Sequence, residues 1–389
     1  MILSVIIVSF NVKYFLEQCL CSLKRGIDQS TLLSGNTEVF VVDNASTDGS
    51  VAFLQPLYPS VHFIQNTQNH GFARANNQAL PQCRGSFVLF LNPDTILAED
   101  SLEICVSFLM SHPRAGAAGV RMIDGSGRFL KESKRGFPGP RASFFKMSGM
   151  ASVFPGSRFF AAYYAGHLDP HRDHPVEILS GACMMVRKTA LDQTGGFDEQ
   201  FFMYAEDIDL SYRIRRAGYQ NYYLAATCII HFKGESTQKD IRYIRQFHLA
   251  MDQFARKYFR GSPGSRRFSL LNSGIAVKQR ISMLWYSIKE PIKKRAGRST
   301  RNKPVFIKGD SPDLPLVISA LEKAGRQISD TASEAGSLIY CAGEQKTLKS
   351  IIREMDESSR KLSCYIHIEG THAIAGSLSG KEKDSVISW

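Results

Sequence analysis

Residues 3–8, LSVIIV, are apolar and largely β-branched without interruption, the pattern of a strand covered on both faces. Behind them Leu16, Leu20 and Leu23 recur at helical spacing. A second buried run, Glu38–Val42, closes on Asp43-Asn44-Ala45-Ser46-Thr47-Asp48-Gly49. A third, Val61–Gln65, leads to Asn69-His70-Gly71-Phe72-Ala73-Arg74-Ala75-Asn76-Asn77, and a fourth, Ser86–Leu91, ends at Asn92-Pro93-Asp94. Strand and helix alternate, which predicts an α/β fold with a mostly parallel central sheet. In such a sheet ligands bind beyond the carboxyl ends of the strands. Every polar cluster just named falls at such an end.

The stretch from about Gly125 to His174 breaks the alternation. It is rich in Gly, Pro, Arg and aromatic residues and reads as a loop with short helices beside the site. Glu177–Ser180 and Ala182–Val186, flanking Gly181, are strand-like. From Gly195 the chain runs GGFDEQFFMYAEDIDLSYRIRRAGY. Leu210, Ile214 and Ala217 predict a helix in its second half, and Gly218 stands where a C-terminal cap belongs. Glu206 and Asp207 fall at the start of that helix, where free N–H groups and the dipole favour an ionised carboxylate. Taken alone the pair is either an acidic cap or a general base held ready. Asp209 and Arg213, at i and i+4, read as a helix-stabilising pair. Tyr222–Leu224 is a further strand, and Ile229-Ile230-His231-Phe232-Lys233-Gly234 follows.

Length and charge divide the chain. At 389 residues it exceeds one average domain, and the expected division is 1–255, 256–302 and 303–389. An apolar content of 43% with 22% charged residues is that of a soluble, well-cored protein. The eight cysteines show no CxxC pair and no zinc spacing, which points to reduced thiols and a cytoplasmic setting. The N-terminal MILSVIIVSFN reads as a buried strand rather than a signal peptide, and no uncharged apolar run reaches bilayer length. The net charge of +12 calls for an anionic partner. Residues 256–303, crowded with Lys and Arg against the single acid Glu290, carry more than the whole excess. There Phe268, Leu271, Ile275, Ile281, Leu284, Trp285 and Ile288 recur at roughly helical spacing. Such a segment suits helices lying on an anionic membrane surface, or equally a packing helix between domains. Residues 303–389 read as a small Rossmann-like β-α-β-α-β domain with no GxGxxG and no visible chemistry.

The segments SVIIVSFN, VVDNASTDGS, NHGFARANN, LNPDT, LSGACMMVRK, GGFDEQFFMYAEDIDLSYRIRRAGY and HFKGEST together resemble the family 2 glycosyltransferases, in that family's order. The resemblance covers about 60% of the chain and is strongest to bacterial rhamnosyltransferase-like members. It implies the glycosyltransferase-A fold and a role for each cluster. Ser9, Asp43 and Asn44 would line the nucleoside pocket of a sugar-nucleotide donor, where a turn or helix cap is the plainer use of the same residues. Arg74 would reach the base or the diphosphate; otherwise it is a surface arginine. Asn92-Pro93-Asp94 stands where the family carries its DxD motif. Asn92 departs from the first Asp but can still contact the ribose or sugar, and Asp94 keeps the metal-ligand position. His231 would be a second metal ligand, against the alternative of a satisfied core histidine. The cofactor so implied is Mg²⁺ or Mn²⁺. Asp207 would be the base that deprotonates the acceptor hydroxyl, with Glu206 on the acceptor side.

The function so implied is inverting transfer from a UDP- or dTDP-sugar to a saccharide acceptor, lipid-linked, at the inner face of the cytoplasmic membrane. Nucleic acid as a partner would explain the charge but not the acidic strand ends. Two alternatives stay open on the sequence: a sugar-phosphate nucleotidyltransferase, for which no GxGxR-type loop is found, and a non-catalytic binding protein on the same fold.

Overall fold

The structure, a computed structural model, describes residues 1–234, 241–259, 304–359, 362–376 and 386–389. The first half is built from β1 (Leu3–Ser9), α1 (Lys13–Gln29), β2 (Thr37–Asp43), α2 (Ser50–Leu57), β3 (Val61–Gln65), α3 (Phe72–Ala79) and β4 (Phe87–Leu91). Then come β5 (Thr95–Ile96), α4 (Ser101–Ser111), β6 (Ala115–Ile123), α5 (Pro140–Met147), α6 (Met150–Val153), β7 (His174–Val176), β8 (Cys183–Arg187), α7 (Lys188–Thr194), α8 (Glu206–Arg216), β9 (Gln220–His231) and α9 (Ile241–Phe259).

The strands form one sheet in the order β3-β2-β1-β4-β8-β6-β9-β5, with β7 on β9. The strands β3, β2, β1 and β4 are mutually parallel, as the alternation predicts. Beyond β4 the sheet is mixed, because β8 runs antiparallel to both β4 and β6. The β-branched runs are strands because the sheet is covered on both sides. Leu3, Val5 and Ile7 pack with Leu16, Leu20, Leu23, Val106 and Leu109 of α1 and α4. Ile6 and Val8 face the other way, among Ala73, Leu191, Leu210 and Ile214 of α3, α7 and α8. Glu177–Ser180, expected to be strand, lies between β7 and β8 as a connection.

A second sheet contains β10 (Val305–Gly309), β11 (Ser337–Ala342), β12 (Ser363–Ile368), β13 (Ala373–Gly376) and β14 (Val386–Ser388), with helices α10 (Leu314–Lys323) and α11 (Leu348–Glu357). Its first three strands are parallel and the last two pairings antiparallel. This unit is not set apart by a polar gap. Leu348, Ile351, Ile352 and Met355 of α11 share one core with Val12, Phe15, Ile96, Ile123, Ile230 and Phe232. Glu99 accepts hydrogen bonds from the free N–H groups of Leu348 (2.7 Å) and Lys349 (2.8 Å), so α11 is capped from the first sheet. Arg121 of β6 donates two hydrogen bonds to Asp356 (2.8 and 2.9 Å), and Gln18 donates to Thr371 and Ala373.

The boundary expected after Ala255 falls inside α9, which continues unbroken to Phe259. The rest of the expected basic segment, to Asn302, lies outside the described residues. All eight cysteines are free thiols. Among the described residues no helix is long and apolar enough to cross a membrane.

Candidate active site

One irregularity sets the position of His231. Along β6 and β9 the register jumps between Val120↔Leu224 and Arg121↔Cys228, so β9 carries extra residues at that point. Such a bulge bends the strand. Past it β9 stays paired with β6 as far as Ile230 and takes up β5 on its other edge, Thr95 opposite His231. The imidazole Nε2 then lies 3.3 Å from Asp94 Oδ1 and 3.4 Å from Asn92 Nδ2, and both Asp94 and His231 are buried. Asn92 in turn donates its backbone N–H to Ala182 (2.9 Å), which joins this cluster to the chain around Gly181.

Ser9 and Asp43 are brought side by side as register partners at the ends of β1 and β2. Asp43 Oδ2 accepts the Ser46 N–H at 2.9 Å, while its Oδ1 and the Ser9 hydroxyl are buried with no hydrogen-bond partner among the described residues. Asn44 is differently used. Its amide donates to Gly71 O (3.1 Å) and accepts from Asn66 and from the His70 N–H, so it holds the loop that opens α3. Arg74 lies exposed on the first turn of α3.

Asp207 sits on the opening turn of α8 and is mostly shielded. Its Oδ2 accepts from Arg135 Nη2 at 2.5 Å and from the Gly181 N–H at 3.1 Å; its Oδ1 accepts from the Ile208 N–H. A Cβ on Gly181 would stand 3.2 Å from Asp207 Cβ, a tight contact that would require Asp207 to give by a few tenths of an ångström. The two residues before Glu206 are strained: Tyr204 and Ala205 both adopt left-handed backbone, φ 71° and 67°. For non-glycine residues that costs on the order of 1–3 kcal/mol each, and strain of this kind is concentrated at functional sites.

The two adjacent carboxyls differ in surroundings. Glu206 is fully buried, and burial first, then the neighbouring Asp207 charge, pushes its pKa up to about 8. It is therefore mainly protonated at neutral pH, its Oε2 without a hydrogen-bond partner among the described residues. Arg135 is the cation at Asp207: burial works against its charge, but Asp207, Tyr163 and Glu132 together raise its pKa. Asp209, fully buried, forms the pair with Arg213 (2.7 Å) that its spacing predicts, and also accepts from Lys257 and Tyr258 of α9. It anchors α9 to α8 rather than facing the cluster.

Thus the structure gathers Asn92, Asp94 and His231 in one group, Ser9 and Asp43 in another, and links Asp207 to the first through Gly181 and Ala182. Arg135 escaped the sequence reading because it lies in the irregular 125–174 stretch, where no periodicity fixes which side chains turn inward. A basic residue in an aromatic, glycine-rich loop was the only signal. Lys233 pairs with Glu132 of the same stretch; burial works to raise Glu132, but the Lys233 charge and hydrogen bond, a backbone N–H and His231 together hold the carboxyl below its ordinary value.

The sequence profile described as Glycosyl transferase family 2 matches residues 4–195, and that of Glycosyl transferase family 21 matches residues 149–265. The N-acetylglucosaminyl-diphospho-decaprenol L-rhamnosyltransferase of Mycobacterium tuberculosis is 32% identical over 256 residues, covering 61% of this chain and 78% of that protein. Rhamnosyltransferase WbbL of Escherichia coli K12 is 28% identical over 187 residues, covering 46% of this chain and 67% of that one. Among solved structures, residues 1–349 of Staphylococcus aureus TarS overlay with a TM-score of 0.45 at 19% identity, covering 72% of each chain. The strand-end clusters, the mixed α/β sheet and these sequence likenesses place the chain in glycosyltransferase family 2, with the glycosyltransferase-A fold, as an enzyme that transfers sugar from a nucleotide-sugar donor.

Proposed function

We propose that this enzyme moves a sugar, with inversion at the anomeric carbon, from a UDP- or dTDP-linked donor to a hydroxyl of a polyprenyl-diphosphate-linked saccharide, at the cytoplasmic face of the membrane. The observation that carries the reading is the unequal carboxyl pair on α8. Asp207 is oriented by a guanidinium and a backbone N–H, while its neighbour Glu206 is held protonated. Inverting transfer requires one carboxylate to take the acceptor proton as the new bond forms, and Asp207 is the one of the two held in place by a guanidinium and a backbone N–H. Arg135 and Gly181 fix its orientation. Glu206 then adds no second negative charge beside the acceptor. Ser9 Oγ and Asp43 Oδ1, buried without partners among the described residues, suit the polar edge of a pyrimidine. Rhamnose as the sugar is supported by the names of the mycobacterial and Escherichia coli relatives.

A divalent ion fits the Asp94–His231 pair only in part. Among the described residues no three His, Cys, Asp or Glu converge, so the chain supplies two ligands and the donor's phosphates must complete the shell. Bound there, Mg²⁺ or Mn²⁺ would neutralise charge growing on the departing diphosphate. The test is nucleoside diphosphate release from a panel of UDP-, dTDP- and GDP-sugars with a lipid-linked acceptor, with chelator and with Mn²⁺ restored. We expect one donor to turn over, metal-dependently, and Asp94→Ala to lose both the turnover and the Mn²⁺ response. An Asp94→Ala enzyme that keeps its full Mn²⁺ response would remove Asp94 from the metal.

A further inference from the structure

The loop that delivers Arg135 to Asp207 also carries a surface that the transfer reaction leaves unused. Between Glu132 and Asp169 the chain contains no acidic residue, but it has Lys134, Arg135, Arg141, Lys146 and Arg158. Within that span five phenylalanines touch in sequence. Phe144 meets Phe145, Phe145 meets Phe159 and Phe160, and Phe154 meets Phe160, with ring centroids 4.9–5.5 Å apart. A cluster of this kind normally sits inside a protein, yet Phe144 is 59% exposed, Val153 66%, Phe154 47% and Phe159 46%. Three cations flank it without an acidic partner among the described residues. Arg141 stacks on Phe159 at 4.5 Å and Lys146 on Tyr163 at 3.5 Å; Arg158 is exposed beside Phe159.

We propose that this patch, centred on α5 and α6, docks the enzyme on an anionic phospholipid surface. Aromatic rings that stay half-exposed in water gain by entering the headgroup region, and unpaired Arg and Lys around them gain from anionic lipid. An acidic protein partner would answer the charge but not such a broad aromatic face. The patch is also tied to the catalytic end. Gly136 donates its N–H to Tyr163 O (3.1 Å), and Arg135 is on Asp207. By chain reach alone Phe144 lies within about 25 Å of Arg135. A lipid-linked acceptor held in the bilayer would therefore present its head near the base. Only that last consequence rests on the proposed acceptor. The docking itself does not.

The experiment is flotation of the full chain with phosphatidylcholine vesicles, with and without phosphatidylglycerol, in the absence of donor and acceptor. Wild type is run beside Phe144→Ser/Phe154→Ser/Phe159→Ser, beside Arg141→Gln/Lys146→Gln/Arg158→Gln, and beside Lys293→Gln/Lys294→Gln/Arg295→Gln in the other basic segment. Circular dichroism and thermal melting check that each variant folds, and transfer to a lipid-free acceptor is followed separately. We expect wild type to float with anionic vesicles, and both loop variants to bind at least about tenfold more weakly with transfer to the lipid-free acceptor unchanged. The proposal is overturned if the phenylalanine variant floats like wild type while the Lys293 variant does not. Equal binding of wild type to neutral and anionic vesicles also overturns it. So does sedimentation velocity that shows the phenylalanine variant converting a dimer to a monomer with vesicle binding intact, which would give the patch to a second copy. Because neither donor nor acceptor is present, failure here leaves the transfer reading standing, and failure of transfer leaves the docking result standing.

Discussion

Two α/β sheets stand side by side in this chain, and the carboxyl ends of their parallel strands are finished in opposite ways. In the first sheet Ser9 Oγ and Asp43 Oδ1 are buried without partners among the described residues, and two left-handed non-glycine residues lead into Glu206 and Asp207. In the second, polar groups at the same kind of position are spent on the protein itself. Asp310 accepts the N–H groups of Gln345 (2.7 Å) and Lys346 (3.0 Å), and Asp313 accepts from Gly370 (2.8 Å) beside His367. Gly309 lies so near Cys341 O that a side chain could not fit. A buried polar atom left unpaired costs about 1–3 kcal/mol. On the proposed reading the first sheet carries that cost where a donor would relieve it, whereas the second spends these groups on its own loops. Fold alone does not make a site; the unpaired atoms distinguish the two.

This contrast can be broken from either side. The largest expected effect is on the supporting side. Asp356→Ala strands the buried Arg121 guanidinium and should lower stability by about 3 kcal/mol in denaturant unfolding, with donor affinity unchanged. A large loss of donor affinity in a still-folded variant would mean that the second sheet shapes the site directly.

The next effect depends on pH. The folded-state pKa of Glu206 is raised, from about 4.5 to about 8, so between those values the unfolded chain is ionised and the folded chain is not. The folded state then binds more protons, and stability must fall as pH rises through that window. Glu206→Gln removes this loss. Its melting temperature should exceed that of wild type at pH 8, with the gap narrowing towards pH 4.5. A gap independent of pH would show that Glu206 ionises in the folded protein as it does in the unfolded chain.

The smallest effect is also the most discriminating. Ser9→Ala removes a buried hydroxyl that has no partner among the described residues, so stability should hold or rise slightly, by up to about 1 kcal/mol. Donor binding measured by calorimetry should weaken nevertheless. Asp313→Ala in the second sheet should do the reverse, losing stability with donor affinity intact. If both substitutions act alike, the two strand ends are not different in kind.

Much of the first sheet was readable because its strands announce themselves. LSVIIV and EVFVV are buried on both faces, and the polar clusters after them can only lie at their carboxyl ends. The α8 start was equally plain from Leu210, Ile214 and Gly218. Three features were not readable. Strand β6, AGAAGVRMI, is made largely of small residues and buried throughout, so it shows no alternation. The pairing of the end of β9 with β5, which sets His231 beside Asp94, is a register property of two strands, which one strand's pattern does not contain. Arg135 finds Asp207 across 72 residues from a loop without periodicity. The shared core was hidden for a related reason. The apolar face of α11 predicts burial but not against which sheet.

The most direct test of the whole reading is Asp207→Asn, an isosteric change that keeps the helix start but cannot take a proton. Donor affinity by calorimetry and single-turnover transfer to a lipid-linked acceptor would be measured on the same preparation as wild type. The expected result is donor affinity within about twofold of wild type and transfer slower by about 10²–10⁴-fold, the range for loss of a positioned general base. Transfer within about tenfold of wild type, or a loss fully matched by lost donor binding, would contradict Asp207 as the base.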